Sequence, residues 1–186
     1  MHARPNAVHD QTGVADRPPF VVVTGLAASG KTTVAVPLAG ALRVPLVSKD
    51  AIKEALFEAV GIGDLQWSNI LSRAADAALV EIAVALDAAV LDNYWHRETV
   101  ERLLAPVQAP MVEVYCRVDP AVARLRFQAR TRHPGHADDE RDPEAVGLSF
   151  LASRFPLGML GPVIEVDTES PVDVVALAAE VIAARR

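Results

Sequence analysis

Short apolar runs alternate along this chain with longer stretches in which apolar residues recur every three or four positions. The short runs predict strands at Phe20–Val23, Pro45–Ser48 and Ala88–Asp92, in MVEVYC at 111–116, and at Val163–Asp167. The first contains no polar residue, so it reads as buried on both faces. Helical spacing predicts a helix over Lys31–Leu42, with Pro37 expected to kink it or to mark a less regular turn. A second follows Asp50, with Ile52, Leu56, Ala59 and Val60 as its apolar positions. After the break at Gly61-Ile62-Gly63, a long amphipathic helix starts near Leu65. Its apolar residues, Trp67, Ile70, Leu71, Ala74, Ala75, Ala78, Leu79, Ile82, Ala83 and Leu86, hold the spacing for about six turns. Further helices are expected over Glu98–Ala105, from Asp119 as cap with Pro120 in the first turn, over Pro143–Arg154, and over Pro171–Ala184. Strands alternating with helices, without internal repeats, predict a three-layer α/β sandwich around a parallel sheet. Residues 1–18 are polar and carry Pro5 and Pro18, which reads as a flexible leader ahead of one domain over 19–186.

The first strand runs into Gly25-Leu26-Ala27-Ala28-Ser29-Gly30-Lys31-Thr32, which satisfies G-x-x-x-x-G-K-[ST]. Such a loop cradles phosphate. Gly25 and Gly30 lack a Cβ, so the backbone can turn sharply and approach an anion. N–H groups from about Ala27 through Ser29 to Thr32 can converge on phosphate oxygens at the positive end of the following helix. Lys31 offers a point charge for the β- and γ-phosphates, and the Thr32 hydroxyl is placed to hold Mg²⁺. Thr33 extends the set into the helix, where it reads more readily as a packed residue than as a ligand.

Composition narrows the class. Hydrophobic residues make up 51% of 186, charged residues 23%, and the formal net charge is −6, an ordinary globular balance without the basic stripe that nucleic-acid binding requires. The first residues contain no apolar signal core, and the longest apolar stretch, Ala77–Leu91, is interrupted by Glu81 and Asp87. A cytoplasmic protein with no membrane or nucleic-acid partner is expected, its oligomeric state left open. Cys116, the one cysteine, sits in an apolar run and reads as a buried thiol.

Candidate chemistry gathers at predicted strand ends. Asp50 lies where the second strand gives way to a helix, on the rim where open α/β sheets bind ligands, so it reads as an N-cap, a ligand-facing carboxylate, or both. Asp92 ends the third strand and reads as a metal- or water-positioning acid, with a capping or ion-pair role as the alternative. Asn93, Tyr94, Trp95, His96 and Arg97 follow on a loop over the same rim, where Tyr94, Trp95 and Arg97 are candidates for gripping a substrate. Trp67 is a candidate wall of an acceptor pocket. Arg126 and Arg130 are four apart on one helix, Arg132 follows, and a charged Pro/Gly segment continues to about residue 145, the composition of a phosphate lid over 126–145. His133-Pro134-Gly135-His136 reads as a turn, not a metal site. Asp167 and Thr168, just past the fifth strand, lie where an adenine base can be contacted.

The chain resembles the P-loop kinases, and among them the chloramphenicol phosphotransferase and zeta-toxin-like small-molecule kinases. The resemblance spans about residues 19–186 and rests on GLAASGKT at 25–32, KDAIKEAL at 49–56, VLDNYW at 90–95, VDPAVARLRFQAR at 118–130 and VIEVDT at 163–168. It implies a five-stranded sheet in the order 2-3-1-4-5. It implies too that Asp50 is the catalytic carboxylate accepting the proton of the attacking hydroxyl, Arg126 and Arg130 the lid arginines, and Asp92 the acid at the third strand's end. The expected activity is transfer of the γ-phosphoryl group of ATP, with Mg²⁺, to a hydroxyl of a small molecule. A nucleoside, nucleotide or sugar kinase remains an alternative, as does a regulatory NTPase. No N-K-x-D follows the P-loop to read guanine, and no LSGGQ-like signature is present.

Overall fold

The computed structural model describes residues 18–142, 147, 150 and 153–185. The first seventeen residues of the expected leader, and most of the helix expected over Pro143–Arg154, lie outside the described residues. Five strands form one parallel sheet: β1 Phe20–Gly25, β2 Leu46–Ser48, β3 Val90–Asp92, β4 Met111–Arg117 and β5 Val163–Asp167, in the order β2-β3-β1-β4-β5. The helices are α1 Lys31–Leu42, α2 Lys49–Val60, α3 Leu65–Val84, α4 Arg97–Leu104, α5 Pro120–Ala129 and α6 Val174–Ala184. Two 3₁₀ turns, Pro134–His136 and Asp138–Glu140, follow α5. Among the described residues no helix is long and apolar enough to cross a membrane.

Strand pleating sorts β1 into two cores. Val21 and Val23 face one side with Val90, Val112, Val114 and Cys116, and are covered by Val34, Ala35 and Leu38 of α1 and Leu177, Ala178 and Val181 of α6. Phe20 and Val22 face the other with Val47 and Leu91, covered by Leu79, Val80 and Ala83 of α3 and Val100 and Leu104 of α4. These layers give the three-layer sandwich. Cys116 is fully buried, and burial pushes its thiol up to about 12, so it packs as an apolar residue.

Several boundaries depart from the spacing. Pro37 lies within an uninterrupted α1, on its exposed side, where the carbonyl that loses its partner can be hydrated. The sheet passes into α2 without a loop, so Ser48 is the N-cap residue and Asp50 sits inside the first turn; it is not the cap. The buried face of α2 is Lys49, Lys53 and Phe57, while Ala59 and Val60 are exposed. That reversal arises because α2 docks on α3 through polar contacts: Lys49 Nζ reaches Asp76 Oδ2 at 2.8 Å and Lys53 Nζ reaches Ser68 Oγ at 2.9 Å. On α3 the seam runs through Ser68, Leu71, Ala75, Leu79 and Ala83, which leaves Ile70, Ala74 and Ile82 exposed.

One buried side chain inside the apolar run MVEVYC was not singled out by the pattern. Glu113, fully buried on β4, accepts from Thr24 Oγ1 and the Leu157 N–H at 2.7 Å through Oε1, and from the Gly158 N–H at 2.7 Å through Oε2. It ties β1, β4 and the chain entering β5 into one unit. Glu113→Ala would strand two buried donors and one part-buried donor, so stability in urea denaturation is expected to fall by about 3 kcal/mol. A loss under about 1 kcal/mol would show that these bonds contribute little net stability.

Candidate active site

The loop between β1 and α1 emerges where neighbouring strands lead their connections to opposite sides, β3 on one edge of β1 and β4 on the other. Two glycines make its path possible. Gly25 has φ +132°, and a Cβ there would lie 2.6 Å from the Cys116 carbonyl oxygen; Gly30 has φ +87° and is the N-cap of α1. The N–H of Ser29 is used within the loop, on the Leu26 carbonyl at 3.1 Å. Those of Gly30 to Thr33 open α1, where no carbonyl lies one turn back to receive them. Lys31 curls over the loop, its Nζ donating to the carbonyls of Leu26 at 2.7 Å and Gly25 at 3.2 Å, 5.5 Å from the centre of the Tyr94 ring. Burial pushes the Lys31 amine below its ordinary range, against the pull of Asp92.

Register brings the next pieces in. Val23 of β1 and Ser48 of β2 both pair with Asp92 on β3, so the ends of three strands meet at one level. There Thr32 Oγ1 donates to Asp92 Oδ2 at 2.7 Å. Asp92 is 5% exposed, and burial raises its carboxyl pKa despite the Thr32 bond and the Lys31 charge. These groups open into a cavity of about 1030 Å³ lined by Ala27, Ala28, Gly30, Lys31, Thr32, Thr33, Asp50, Asp92, Tyr94, Arg126, Arg130 and Thr168, among others. Thr33 is exposed on the cavity wall, not packed in the helix interior. Gly25 and Ser29 lie behind the loop; the Thr168 hydroxyl bonds the Ser29 carbonyl at 2.7 Å and fixes the loop from outside.

Across the cavity stands Asp50. Its Oδ2 accepts from Arg132 at 2.7 Å, and its side chain is 57% exposed. Burial would raise its carboxyl, but the charges of Arg132, His136 and Lys49 outweigh that and hold it below its ordinary value. Arg126 donates to the Thr168 carbonyl at 3.1 Å. Arg130 is the C-cap of α5, in extended backbone; its guanidinium lies 4.1 Å from the Phe127 ring and 3.5 Å from Asp138. Asp138 also meets Arg132 at 3.2 Å and Arg141 at 3.5 Å, so one carboxylate gathers three arginines.

Four residues expected in the site lie elsewhere. Trp95 is 6% exposed and belongs to the core beneath the sheet, its Nε1 donating to the Val23 carbonyl at 3.0 Å. Arg97 donates to the carbonyls of Leu157 at 2.9 Å and Pro156 at 2.6 Å, which pins the approach to β5. Trp67 folds over Gly63 and donates to the Gly61 carbonyl at 3.0 Å, away from the cavity wall. Asp167 turns outward to Arg117 at 2.8 Å and caps Glu169, while Thr168 beside it does line the cavity. Tyr94 holds Ser153 at 2.6 Å through its hydroxyl and lines the cavity with its ring. The histidines of the Pro-Gly turn face α2: His133 stacks on Phe57 and meets Glu58 at 3.0 Å, and His136 meets Glu54 at 3.1 Å.

The cavity also includes residues whose presence the sequence did not disclose: Lys49, Lys53, His136 and Arg141. Lys53 is 3% exposed; burial first, then the like charges of Arg141, Lys49 and Arg132, push its amine down to about 8. A signal existed in the four-residue spacing of Lys49, Lys53 and Phe57, which places two lysines and an aromatic ring on one helix face.

Residues 20–157 match the AAA domain family. No curated protein matches the sequence. Among solved structures, a protein from Chloroflexus aurantiacus assigned provisionally as a kinase is 30% identical, with a TM-score of 0.78 over 90% of this chain and 98% of that one. A gluconokinase from Sinorhizobium meliloti is 20% identical, with a TM-score of 0.61 over 90% of this chain and 93% of its own. A shikimate kinase from Acinetobacter baumannii, in complex with shikimate, is 14% identical, with a TM-score of 0.53 over 89% and 91%. The last two share the fold. With a phosphate-cradling loop at the centre of the sheet, a hydroxyl–carboxylate pair beside it and a carboxylate across the cavity, the chain belongs to the AAA domain family and is built as a P-loop small-molecule kinase.

Proposed function

We propose that this chain transfers the γ-phosphoryl group of ATP to a hydroxyl of a small molecule, with Mg²⁺ as the metal. The observation that carries the reading is that Lys31, the Thr32–Asp92 pair and Asp50 open into one cavity. The fold of solved kinases, a gluconokinase and a shikimate kinase with shikimate bound among them, supports a small-molecule acceptor. In this reading the N–H groups opening α1 and the Lys31 amine receive the β- and γ-phosphates. Thr168, Pro171, Val172 and Val174 provide the edge of the cavity against which the base lies. Asp167, turned to Arg117, takes no part.

The donor set at Thr32 and Asp92 fits a hard divalent cation. Both ligands are oxygens, 2.7 Å apart, and the buried Asp92 carboxyl gains from a neighbouring positive charge. Mg²⁺ held there would neutralise charge on the β- and γ-phosphate oxygens. Arg126 and Arg130, on the segment over 126–145 that we read as a lid, would meet the transferring group from above. Asp50 takes the proton as the acceptor oxygen bonds to the γ-phosphorus and the bond to the β-phosphate oxygen breaks, releasing ADP. Arg132 binds Oδ2 of Asp50 and leaves Oδ1, which has no hydrogen-bond partner among the described residues, for that proton.

Asp50→Asn is expected to lower kcat by about 10²- to 10⁴-fold and to leave the affinity for nucleotide, by calorimetry, within about twofold. Full turnover with a true acceptor in that variant would refute the assignment of the base. Arg132 gives a second test, with a definite sign. A base must be ionised, so activity falls as pH drops through the Asp50 pKa, and Arg132 is among the groups that hold this value down. In Arg132→Gln the acid limb of the kcat/KM profile should therefore move to higher pH; a limb that stays in place would mean that another group controls it. Nucleotide consumption equally fast with and without hydroxylated compounds would favour a regulatory NTPase instead.

A further inference from the structure

The face of α2 that turns toward α3 is cationic where an ordinary helix would bury apolar side chains. Lys49 is matched by Asp76. Lys53 has no such match: among the described residues its Nζ bonds only the Ser68 hydroxyl, which is itself within 3.3 Å of the His136 carbonyl, and it lies 5.3 Å from the centre of the Phe57 ring. It is 3% exposed, yet it lines the cavity. A buried ammonium without a directly paired carboxylate is costly, and the charges of Arg141, Lys49 and Arg132 add to the cost, which Asp50 offsets only in part. The nearby carboxylates have little negative charge to spare for Lys53, because Asp138 already serves three arginines and Asp50 already pairs with Arg132. Among the described residues the cavity is lined by seven lysines and arginines against four aspartates, in a chain whose net charge is −6.

We propose that the Lys53 end of the cavity is an anion subsite, and that the phosphoryl acceptor is a hydroxylated small molecule bearing a carboxylate or a phosphate, held by Lys53 and Arg141. The inference rests on the kinase reading above and deepens it. Position supplies the geometry. Asp50 and Lys53 are three residues apart on α2, so their Cβ atoms are about 5–6 Å apart, the span of a few carbon atoms. A molecule whose anionic group rests on Lys53 can therefore present a hydroxyl to Asp50. The Lys31 and Thr32 end remains free for the triphosphate. A neutral polyol would leave the ammonium as poorly compensated as before, which disfavours it relative to its acidic counterpart.

Matched compounds test the assignment: aldonates against alditols, and sugar phosphates against free sugars, with wild type, Lys53→Met and Arg141→Gln. The readouts are thermal unfolding in the presence of a non-hydrolysable ATP analogue, and ADP release with ATP. Anionic members are expected to raise the wild-type unfolding temperature by about 3–6 °C, whereas their neutral partners should not. The two anionic series separate a carboxylate from a phosphate. In Lys53→Met the ligand-free protein should unfold at a higher temperature than wild type, because an uncompensated buried charge is gone, while the response to anions disappears. The acceptor KM should rise by about ten- to a hundredfold, with the KM for ATP within about twofold. Arg141→Gln, on a more exposed side chain, should raise the acceptor KM more modestly and guards against misfolding of the first variant. Neutral compounds that stabilise and turn over as well as the anions, or an anion response that survives Lys53→Met, would overturn the subsite. Lys53-dependent anion binding without phosphoryl transfer to any compound would overturn the kinase reading and leave the anion subsite standing.

Discussion

The burial of β1 on both faces and both edges is the constraint on which the site depends. Its valines face two separate cores, and its backbone is paired with β3 on one side and β4 on the other. A strand so enclosed cannot slide, because a one-residue slip would exchange its two faces and break both ladders. The loop that leaves its C-terminal end is therefore delivered to a fixed point on the rim. The same registers bring Ser48 and Asp92 to that level, which is why a hydroxyl on α1 and a carboxylate on β3 can meet at 2.7 Å although sixty positions separate them in the chain.

Polar groups inside the fold extend this rigidity to segments without regular structure. Glu113 holds the backbone at Leu157 and Gly158 from within β4, Arg97 grips the carbonyls of Pro156 and Leu157 from α4, and Tyr94 holds Ser153. Three side chains thus anchor the same short stretch before β5. Trp95 couples it to the centre of the sheet through the Val23 carbonyl, one residue before Thr24, whose hydroxyl is bonded to Glu113. The aromatic and charged residues at 94–97 that read as a substrate grip are in large part the braces of the wall behind the cavity.

The P-loop was legible because backbone geometry there dictates residue type: φ values of +132° and +87° at Gly25 and Gly30, with the Cys116 carbonyl close behind the first, leave little but glycine. Strand positions were legible as well, since a parallel strand buried on both faces is largely apolar, Glu113 inside β4 being the exception. Side-chain destinations were not. Composition alone cannot tell whether an indole or guanidinium will meet a ligand or a backbone carbonyl, and Trp67, Trp95, Arg97 and Asp167 all found partners within the protein. The apolar spacing of α2 likewise misled, because Lys49 and Lys53 satisfy a polar interface with α3 that no periodicity of hydrophobic residues records.

The titratable groups of the cavity point in a common direction. Burial lowers Lys31, lowers Lys53 to about 8 and raises Asp92, so each is pushed toward its neutral form. Asp50 alone among the acids facing the cavity that titrate abnormally is held ionised, because Arg132, His136 and Lys49 surround it. A wall of this kind discriminates by charge before it discriminates by shape. A ligand that brings negative charge to the two lysines and positive charge to Asp92 relieves all three desolvation costs together, whereas a neutral ligand relieves none. Asp50 has its desolvation outweighed by the surrounding cations and is held ionised, the state required of the one group in the cavity whose proposed task is to receive a proton and not to neutralise a bound charge.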